Sequence, residues 1–171
     1  GEEDSYSLPF IDEASVTNSI ISAVVSRKLG LSAEDVDKRM SLLEPVAMRL
    51  EVKEGQHGCT LINDSYNSDI NSLDIALDFM SRRPDHKGRR HTLILSDIFQ
   101  SGETPADLYK EVSDLCRKRG VVKFIGVGPQ LYEQSDEIQI SEKFFFRNVE
   151  EFIDSEVFKS LRDEVILLKG A

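Results

Sequence analysis

The chain has 171 residues, of which 40% are hydrophobic and 30% are charged, and its formal net charge is −10. This composition supports a packed core, and the acidic balance argues against nucleic-acid or membrane-surface binding, which need a basic footprint. No apolar run approaches the length of a membrane span, and no signal peptide opens the sequence. The two cysteines give no disulfide framework, so we expect a reducing cytosol, and no spacing of Cys, His and carboxylates suggests a metal site.

The first 45 residues are predicted to form two packed helices. One face of the first helix carries apolar residues at helical spacing: Val16, Ile20, Ala23 and Val24. Gly30 is placed to end this helix. Ser32 is the predicted cap of the second helix, Pro45 its end, and its apolar stripe consists of Val36, Met40 and Leu43.

The stretch from residue 59 to residue 80 predicts a ligand site. It begins as an apolar run, breaks into polar residues and Tyr from Asn63 to Asn67, and continues as a helix with one apolar face: Leu73, Ala76, Leu77 and Met80. A buried strand that ends in polar side chains just before a helix is where open α/β sheets bind ligands. We therefore expect Asp64 and Asn67 at the carboxyl edge of a strand.

Strands and helices are predicted to alternate over the remainder of the chain. The basic stretch 81–91 is expected to be a solvated loop, and Gly126-Val-Gly128 a tight turn. Further strands are predicted at 92–96, 121–125, 144–146 and 165–168, with helices starting at Thr104-Pro105 and at Asn148, the latter with Val149, Phe152 and Ile153 inside. This alternation of apolar strands with helices predicts an α/β fold, a Rossmann-like and mostly parallel sheet with helices on both faces. Asp64, Asp97 and Lys169 would then share one edge of the sheet.

Several motifs resemble those of the Mur ligases, in family order. Asn63-Asp-Ser-Tyr-Asn67 with Ser72 resembles the D-S-Y-N-x-N-P-x-S signature of the branch that adds D-alanyl-D-alanine, although Ser68, Asp69 and Ile70 replace the usual Ala, Asn and Pro. Asn18 matches the second Asn of H-N-x-x-N-A-x-A-A, and Pro45 to Glu51 contains the P-x-x-x-R-x-E linker with Arg49. Ser96 to Gly102 is similar to G-D-M-x-E-L-G with Gln100 in place of Glu, and Lys169-Gly-Ala is similar to K-G-S-R.

The resemblance implies a fold, an activity and a set of site residues. Residues 1–48 would be the helical end of the central ATPase domain, and 49–171 the Rossmann-like C-terminal domain. The parent would be a cytoplasmic peptidoglycan-precursor enzyme that uses ATP and Mg²⁺ to join D-alanyl-D-alanine to UDP-N-acetylmuramoyl-tripeptide through an acyl phosphate. The implied nucleotide contacts are Asn18 (adenine), Arg49 (phosphates) and Asp64 (ribose), and the residues near the incoming dipeptide are Tyr66, Asn67 and Lys169. No catalytic residue or metal ligand is assigned.

The sequence contains no G-x-x-x-x-G-K-[ST] phosphate-binding loop. We therefore expect an inactive fragment that depends on missing N-terminal and central domains, with Asp64 an exposed contact rather than a determinant of folding. Forms of these ligases fused to alanine racemase exist, and such a fusion stays open. The alternatives are a folylpolyglutamate-type or other Mur ligase C-terminal domain, a phospho-acceptor signalling domain and a non-catalytic interaction module. The signalling domain fits poorly, because Asn63-Asp64 offers one acid where a metal-binding pair is needed.

Overall fold

The structure is a computed structural model that describes residues 5–10, 13–44, 49–83, 88–99, 102 and 104–170. The chain divides into two compact units, Gly1–Ala47 and Met48–Ala171. Pro45 and Gln100, which the sequence analysis singled out, lie outside the described residues.

The first unit contains the two predicted helices, α1 (Glu13–Lys28) and α2 (Ala33–Met40). Gly30 follows α1 with a φ of 96°, which suits its predicted role as terminator because glycine adopts positive φ without steric cost. The predicted cap is confirmed, since the Ser32 side chain accepts a hydrogen bond from the backbone N–H of Asp35. A small core joins the two helices and the preceding segment: Ala23, Val36 and Met40, with Tyr6, Leu8 and Leu31 packed against them.

Much of the predicted apolar face of α1 is exposed. Ala23 is buried, but Ile20 is 54% exposed and Val24 51% exposed. Leu43 was predicted to belong to the stripe of α2, and this is wrong, because α2 ends at Met40 and Leu43 lies exposed beyond it. The periodicity of α1 therefore describes a larger apolar surface than the small core of this unit covers.

In the described part of the second unit, six strands form one sheet in the order β1-β2-β6-β3-β4-β5. β1 is antiparallel to β2, and all other neighbours are parallel, which confirms the predicted α/β fold with a mostly parallel sheet. Sequence analysis predicted no strand at β1, which is short and polar. The strands are β1 (Glu51–Glu54), β2 (Thr60–Asp64), β3 (Arg90–Ser96), β4 (Lys123–Val127), β5 (Glu142–Phe146) and β6 (Glu164–Lys169).

Helices connect the parallel strands. They are α3 (Ile70–Arg82), α4 (Pro105–Lys118), α5 (Pro129–Glu133), α6 (Val149–Asp154) and α7 (Glu156–Lys159). The predicted apolar face of α3 is confirmed, because Leu73, Ala76, Leu77 and Met80 are fully buried. The predicted caps of α4 and α6 are also confirmed, since Thr104 and Asn148 each accept a backbone N–H. On α6 only Phe152 is buried, and the prediction that Val149 and Ile153 lie inside is wrong.

The period-2 alternation of the strands separates two hydrophobic cores. On β6, Val165 and Leu167 point into the core that also contains residues of α3, α4 and α5, whereas Ile166 points into a second core with Phe152 of α6. β4 continues through Val127, so the predicted tight turn at Gly126-Val-Gly128 is wrong for its first two residues. Both faces of the sheet are therefore covered, and three neighbouring parallel strands end in polar residues: β2 in Asp64, β6 in Lys169 and β3 in Ser96.

Hydrogen bonds and an ion pair fix Glu164, the first residue of β6. Glu164 is buried and accepts hydrogen bonds from Lys123 of β4 and Thr92 of β3. The predicted solvated loop 81–91 is described only in part, and its first two residues belong to α3 and its last two to β3. Arg89 within it is half-buried, and its guanidinium donates to Thr60 Oγ1 and to the backbone oxygens of Gly58 and Glu164. A two-residue slip of the apolar strand β6 would keep its alternation but break these contacts, so they specify its register.

Candidate functional site at the carboxyl edge of the sheet

The predicted acidic and basic residues meet at the carboxyl edge of the sheet. β2 ends at Asp64 and β6 ends at Lys169, and the two residues are directly opposite in the register. β3, on the other side of β6, ends at Ser96 and is followed by Asp97. The structure therefore places Asp64, Asp97 and Lys169 along one edge, as the strand pattern predicts.

Asp64 and Lys169 form an ion pair at this edge. Lys169 Nζ lies 2.7 Å from Asp64 Oδ2, and their side chains are 1% and 13% exposed. The other carboxylate oxygen, Oδ1, accepts the backbone N–H of Leu50 at 3.2 Å. The expectation of an exposed Asp64 is therefore wrong, whereas Lys169 lies at the same edge as Asp64, as expected, but is buried there. The sequence did not reveal this burial because it does not show that β6 lies beside β2.

Arg49 and Tyr66 form the exposed part of the site. The guanidinium carbon of Arg49 lies 4.2 Å from the centroid of the Tyr66 ring, a cation–π geometry. Tyr66 is 56% exposed and comes two residues after Asp64. The planar guanidinium of Arg49 is thus held on an aromatic surface beside the Asp64–Lys169 pair, with its hydrogen-bond donors along the plane of the group.

The three departures from the signature lie where α3 begins. Asp69 caps α3, because its Oδ1 accepts the backbone N–H of Ser72, and the side chain of Ser72 accepts the backbone N–H of Asp69 in return. Burial acts to raise the pKa of Asp69, but the hydrogen bonds from Ser72 and the positive charge of Lys169 outweigh it and lower the pKa. Asn67 Nδ2 donates to Asp69 Oδ2 at 2.8 Å, so the exposed Asn67 is oriented by this cap.

Asp97 faces inward and caps a helix. Its two oxygens accept the backbone N–H groups of Gln130 at 3.0 Å and Leu131 at 2.8 Å, at the start of α5. Beside it lies Tyr109, whose hydroxyl accepts the backbone N–H of Ile98 at 3.2 Å and donates to Gln130 Oε1 at 3.0 Å. Burial is the main cause that raises the pKa of Tyr109 to about 12, and the negative charge of Asp97 acts in the same direction. Sequence analysis missed Tyr109, and no sequence signal distinguishes it from a half-buried helix residue.

Asn18 lies in the first unit and is exposed on α1, where its backbone oxygen accepts the Ser22 hydroxyl at 2.8 Å. The structure thus brings together five of the six predicted site residues, Arg49, Asp64, Tyr66, Asn67 and Lys169. Asn18 belongs to the other unit. Among the described residues, no group of three or more His, Cys, Asp or Glu side chains is arranged to hold a metal ion. None of the helices in the described ranges is long and apolar enough to cross a membrane.

By its fold the second unit is like the C-terminal domain of Mur ligases, although no protein-family profile matches the chain. MurF from Acinetobacter baumannii superimposes with a TM-score of 0.77 at 19% identity, over 97% of this chain and 36% of that chain. The MurF ligase of Thermotoga maritima, solved in complex with ADP, gives a TM-score of 0.72 at 16% identity, over 95% of this chain and 36% of that chain.

The sequence similarity points to one branch of these ligases. The chain is 27% identical over 111 residues to the UDP-N-acetylmuramoyl-tripeptide–D-alanyl-D-alanine ligase of Bacillus subtilis. This match covers 65% of the present chain. The match spans only 24% of the length of that relative. Over most of its length the chain is therefore homologous to the C-terminal region of the ligases that add D-alanyl-D-alanine.

Proposed function

We propose that the chain is the C-terminal part of an ATP-dependent ligase that joins D-alanyl-D-alanine to UDP-N-acetylmuramoyl-tripeptide through an acyl phosphate. In this proposal residues 1–48 are the helical end of the central domain, and residues 49–171 form the C-terminal domain. The central and N-terminal domains of the same protein supply the phosphate-binding loop, so this chain alone does not turn over. The enzyme works in the cytoplasm on peptidoglycan precursors.

The observation that carries the proposal is the arrangement of Arg49 beside Asp64. An exposed guanidinium that is fixed on the ring of Tyr66, 4.2 Å from the centroid, fits a phosphate group, because its planar donors can pair with two phosphate oxygens. The partly exposed Asp64 carboxylate has lone pairs beyond those that Lys169 and Leu50 use, and these fit the hydroxyls of a ribose. Both groups belong to the strand ends and loops where α/β sheets bind nucleotides.

The other roles follow from the same arrangement. Asn18, on the first unit, contacts the adenine. Tyr66 and Asn67 face the incoming dipeptide, whereas Lys169 supports the site from inside the domain, where it is buried on Asp64. In the ligation the phosphoryl group of ATP is transferred to the tripeptide carboxylate, the dipeptide amine attacks the acyl carbon, and phosphate leaves. The residues of this chain bind and orient the nucleotide and the dipeptide while this occurs.

Mg²⁺ supplies charge neutralisation for phosphoryl transfer in such enzymes. The described residues do not fit a magnesium cage, since they include no cluster of three potential ligands. We therefore assign no metal ligand to the described residues.

The proposal is tested with the longer polypeptide that contains this chain. With UDP-N-acetylmuramoyl-tripeptide, D-alanyl-D-alanine and ATP–Mg²⁺, it should release phosphate only when both acceptor substrates are present. Arg49→Ala should raise the KM for ATP, whereas Arg147→Ala should not, because Arg147 lies on the ring of Tyr132 and provides a matched cation–π pair elsewhere. Phosphate release that is independent of the dipeptide, or supported by a folate substrate and glutamate, would contradict the proposed substrate class.

A further inference from the structure

Lys169 is a nearly fully buried ammonium at the end of a central strand. Its Nζ lies 2.7 Å from Asp64 Oδ2. A buried ammonium is stable only when it is paired, because an unpaired charge loses its hydration without compensation. The position of Lys169 is fixed by the β6 backbone, which pairs with β2 on one side and β3 on the other. Lys169 therefore dictates where the Asp64 carboxylate lies.

The second oxygen of that carboxylate holds the entry of the chain into the second unit. Asp64 Oδ1 accepts the backbone N–H of Leu50 at 3.2 Å, and Leu50 has a φ of 50°. This left-handed conformation is unfavourable for a residue with a Cβ, so the surroundings must impose it. A hydrogen bond from an N–H to a charged carboxylate is stronger than a neutral one and can supply this constraint. Leu50 also packs against the core of the second unit through its side chain.

The conformation of Leu50 sets the direction of the residue before it. Arg49 directly precedes Leu50, and its guanidinium lies over Tyr66, which is two residues beyond Asp64. A continuous path of contacts thus runs from the buried Lys169 through Asp64 and Leu50 to the exposed Arg49.

We propose that Lys169 is a positioning residue, which fixes the Asp64 carboxylate so that it holds Leu50 in its left-handed conformation and thereby holds Arg49 on Tyr66. Lys169 then acts on the nucleotide site without touching a substrate. That functional consequence rests on the proposed function, in which Arg49 meets the phosphates. The structural part of the inference does not depend on it.

The structural part is tested by NMR on the intact 171-residue chain, without nucleotide. A scalar coupling across the hydrogen bond should connect the Leu50 amide nitrogen with the Asp64 carboxylate carbon. In Lys169→Met the Leu50 amide should exchange with solvent at least about tenfold faster, since exchange reports local opening. The upfield ring-current shift of the Arg49 δ protons should decrease in the same variant.

Lys123→Met is the matched control. Lys123 is also a buried lysine at a strand terminus, paired with Glu164, but it lies at the opposite edge of the sheet. Lys123→Met should leave the exchange rate of the Leu50 amide, measured relative to the amides of β3, unchanged. It should also leave the chemical shift of the Arg49 δ protons unchanged. If the two substitutions change the Leu50 exchange rate and the Arg49 shift equally, removal of any buried charge destabilises the whole domain. That result would overturn the proposal. Absence of the Leu50–Asp64 coupling in the unaltered chain would overturn it even if Lys169→Met failed to fold.

The functional consequence is tested separately in the longer ligase. Lys169→Met should raise the KM for ATP about tenfold, equivalent to ~1.4 kcal/mol, with a much smaller change in kcat. A predominant loss of kcat, or a raised KM for the dipeptide alone, would instead make Lys169 a group that acts directly on the acceptor. If the unaltered protein shows no ATP-dependent ligation, the proposed function fails, while the NMR result still decides whether Lys169 positions Asp64 and Leu50.

Discussion

Asp64 and Lys169 are 105 residues apart in the sequence, yet they lie directly opposite each other on two neighbouring strands, and their charged groups are 2.7 Å apart. The pair joins the signature stretch at the end of β2 to β6, which is the last strand in the sequence and lies beside β2 in the sheet. It is the structural centre of the candidate site, and we expect both residues to contribute to the stability of the fold.

The two members of this pair should differ in how much their removal costs. Asp64→Ala leaves a buried ammonium without a partner, and we expect it to lower the free energy of unfolding by about 3 kcal/mol. Lys169→Met leaves a carboxylate that is partly accessible to water, so its cost should be smaller. Urea denaturation of the single and double variants measures both. If Asp64→Ala proves to be within the error of the unaltered chain, the pair does not exist in solution.

The Asp69 cap predicts a dependence of stability on acid. Because the folded-state pKa of Asp69 is lowered, its contribution is present above the unfolded pKa and is lost as the pH falls through the folded value, below about 4. Asp69→Asn keeps a capping side chain and should cost little at pH 7, whereas Asp69→Ala should cost about 1 kcal/mol. Unfolding at pH 7 and pH 3 checks this. The difference in stability between the unaltered and Asp69→Ala chains should shrink in acid, and a constant difference would contradict the assignment.

Tyr109 predicts a loss of stability at high pH. Its folded-state pKa is raised to about 12, so its contribution is complete below the ordinary value near 10 and disappears as the pH rises from about 10 to about 12. Burial also raises the pKa of Cys116 to about 12. Its contribution to stability is therefore also lost at high pH, and the loss begins at a lower pH than for Tyr109 because the ordinary pKa of a thiol is lower. Tyr109→Phe should unfold with a weaker dependence on pH in this range. Absorbance of tyrosinate that develops fully below pH 11 in the folded chain would show that Tyr109 is not buried as described.

Gly128 should tolerate no side chain. A Cβ at this position would lie 2.4 Å from the carboxyl carbon of Asp97, and the backbone has a positive φ. Gly128→Ala should therefore displace the cap of α5 and destabilise the chain by at least ~3 kcal/mol. Gly120→Ala is the matched control, since Gly120 also has a positive φ but nothing lies within 4 Å of its Cβ position. Gly120→Ala should lower the free energy of unfolding by about 1 kcal/mol. Similar losses of stability at both positions would show that the contact between Gly128 and Asp97 adds nothing to the cost.

Features with a strong local pattern were predictable from the sequence. The buried face of α3 follows from helical spacing, and the cap of α4 follows from Thr104-Pro105. The short elements β1, α5 and α7 were missed because a few residues carry too little periodicity to identify them.

The contacts that build the site were less accessible to sequence analysis. The meeting of polar residues at one edge of the sheet follows from alternating strands and helices, but strand order does not. Because β6 inserts between β2 and β3, Lys169 is buried on Asp64, and Glu164 is buried on Lys123. These pairings depend on tertiary neighbours that the spacing of residues along the chain does not determine.

The most direct test of the account is an ATP–Mg²⁺ titration of the 171-residue chain, followed by NMR. We expect weak binding, with a Kd of about 1 mM or weaker, equivalent to about −4 kcal/mol, because only part of a nucleotide site is present. Shifts in the second unit should concentrate at Arg49, Leu50, Asp64 and Tyr66, and Arg49→Ala should abolish them. Micromolar affinity, hydrolysis of ATP by the chain alone, or shifts centred on Lys123 and Glu164 at the opposite edge would contradict the proposal that this edge contributes part of a shared nucleotide site.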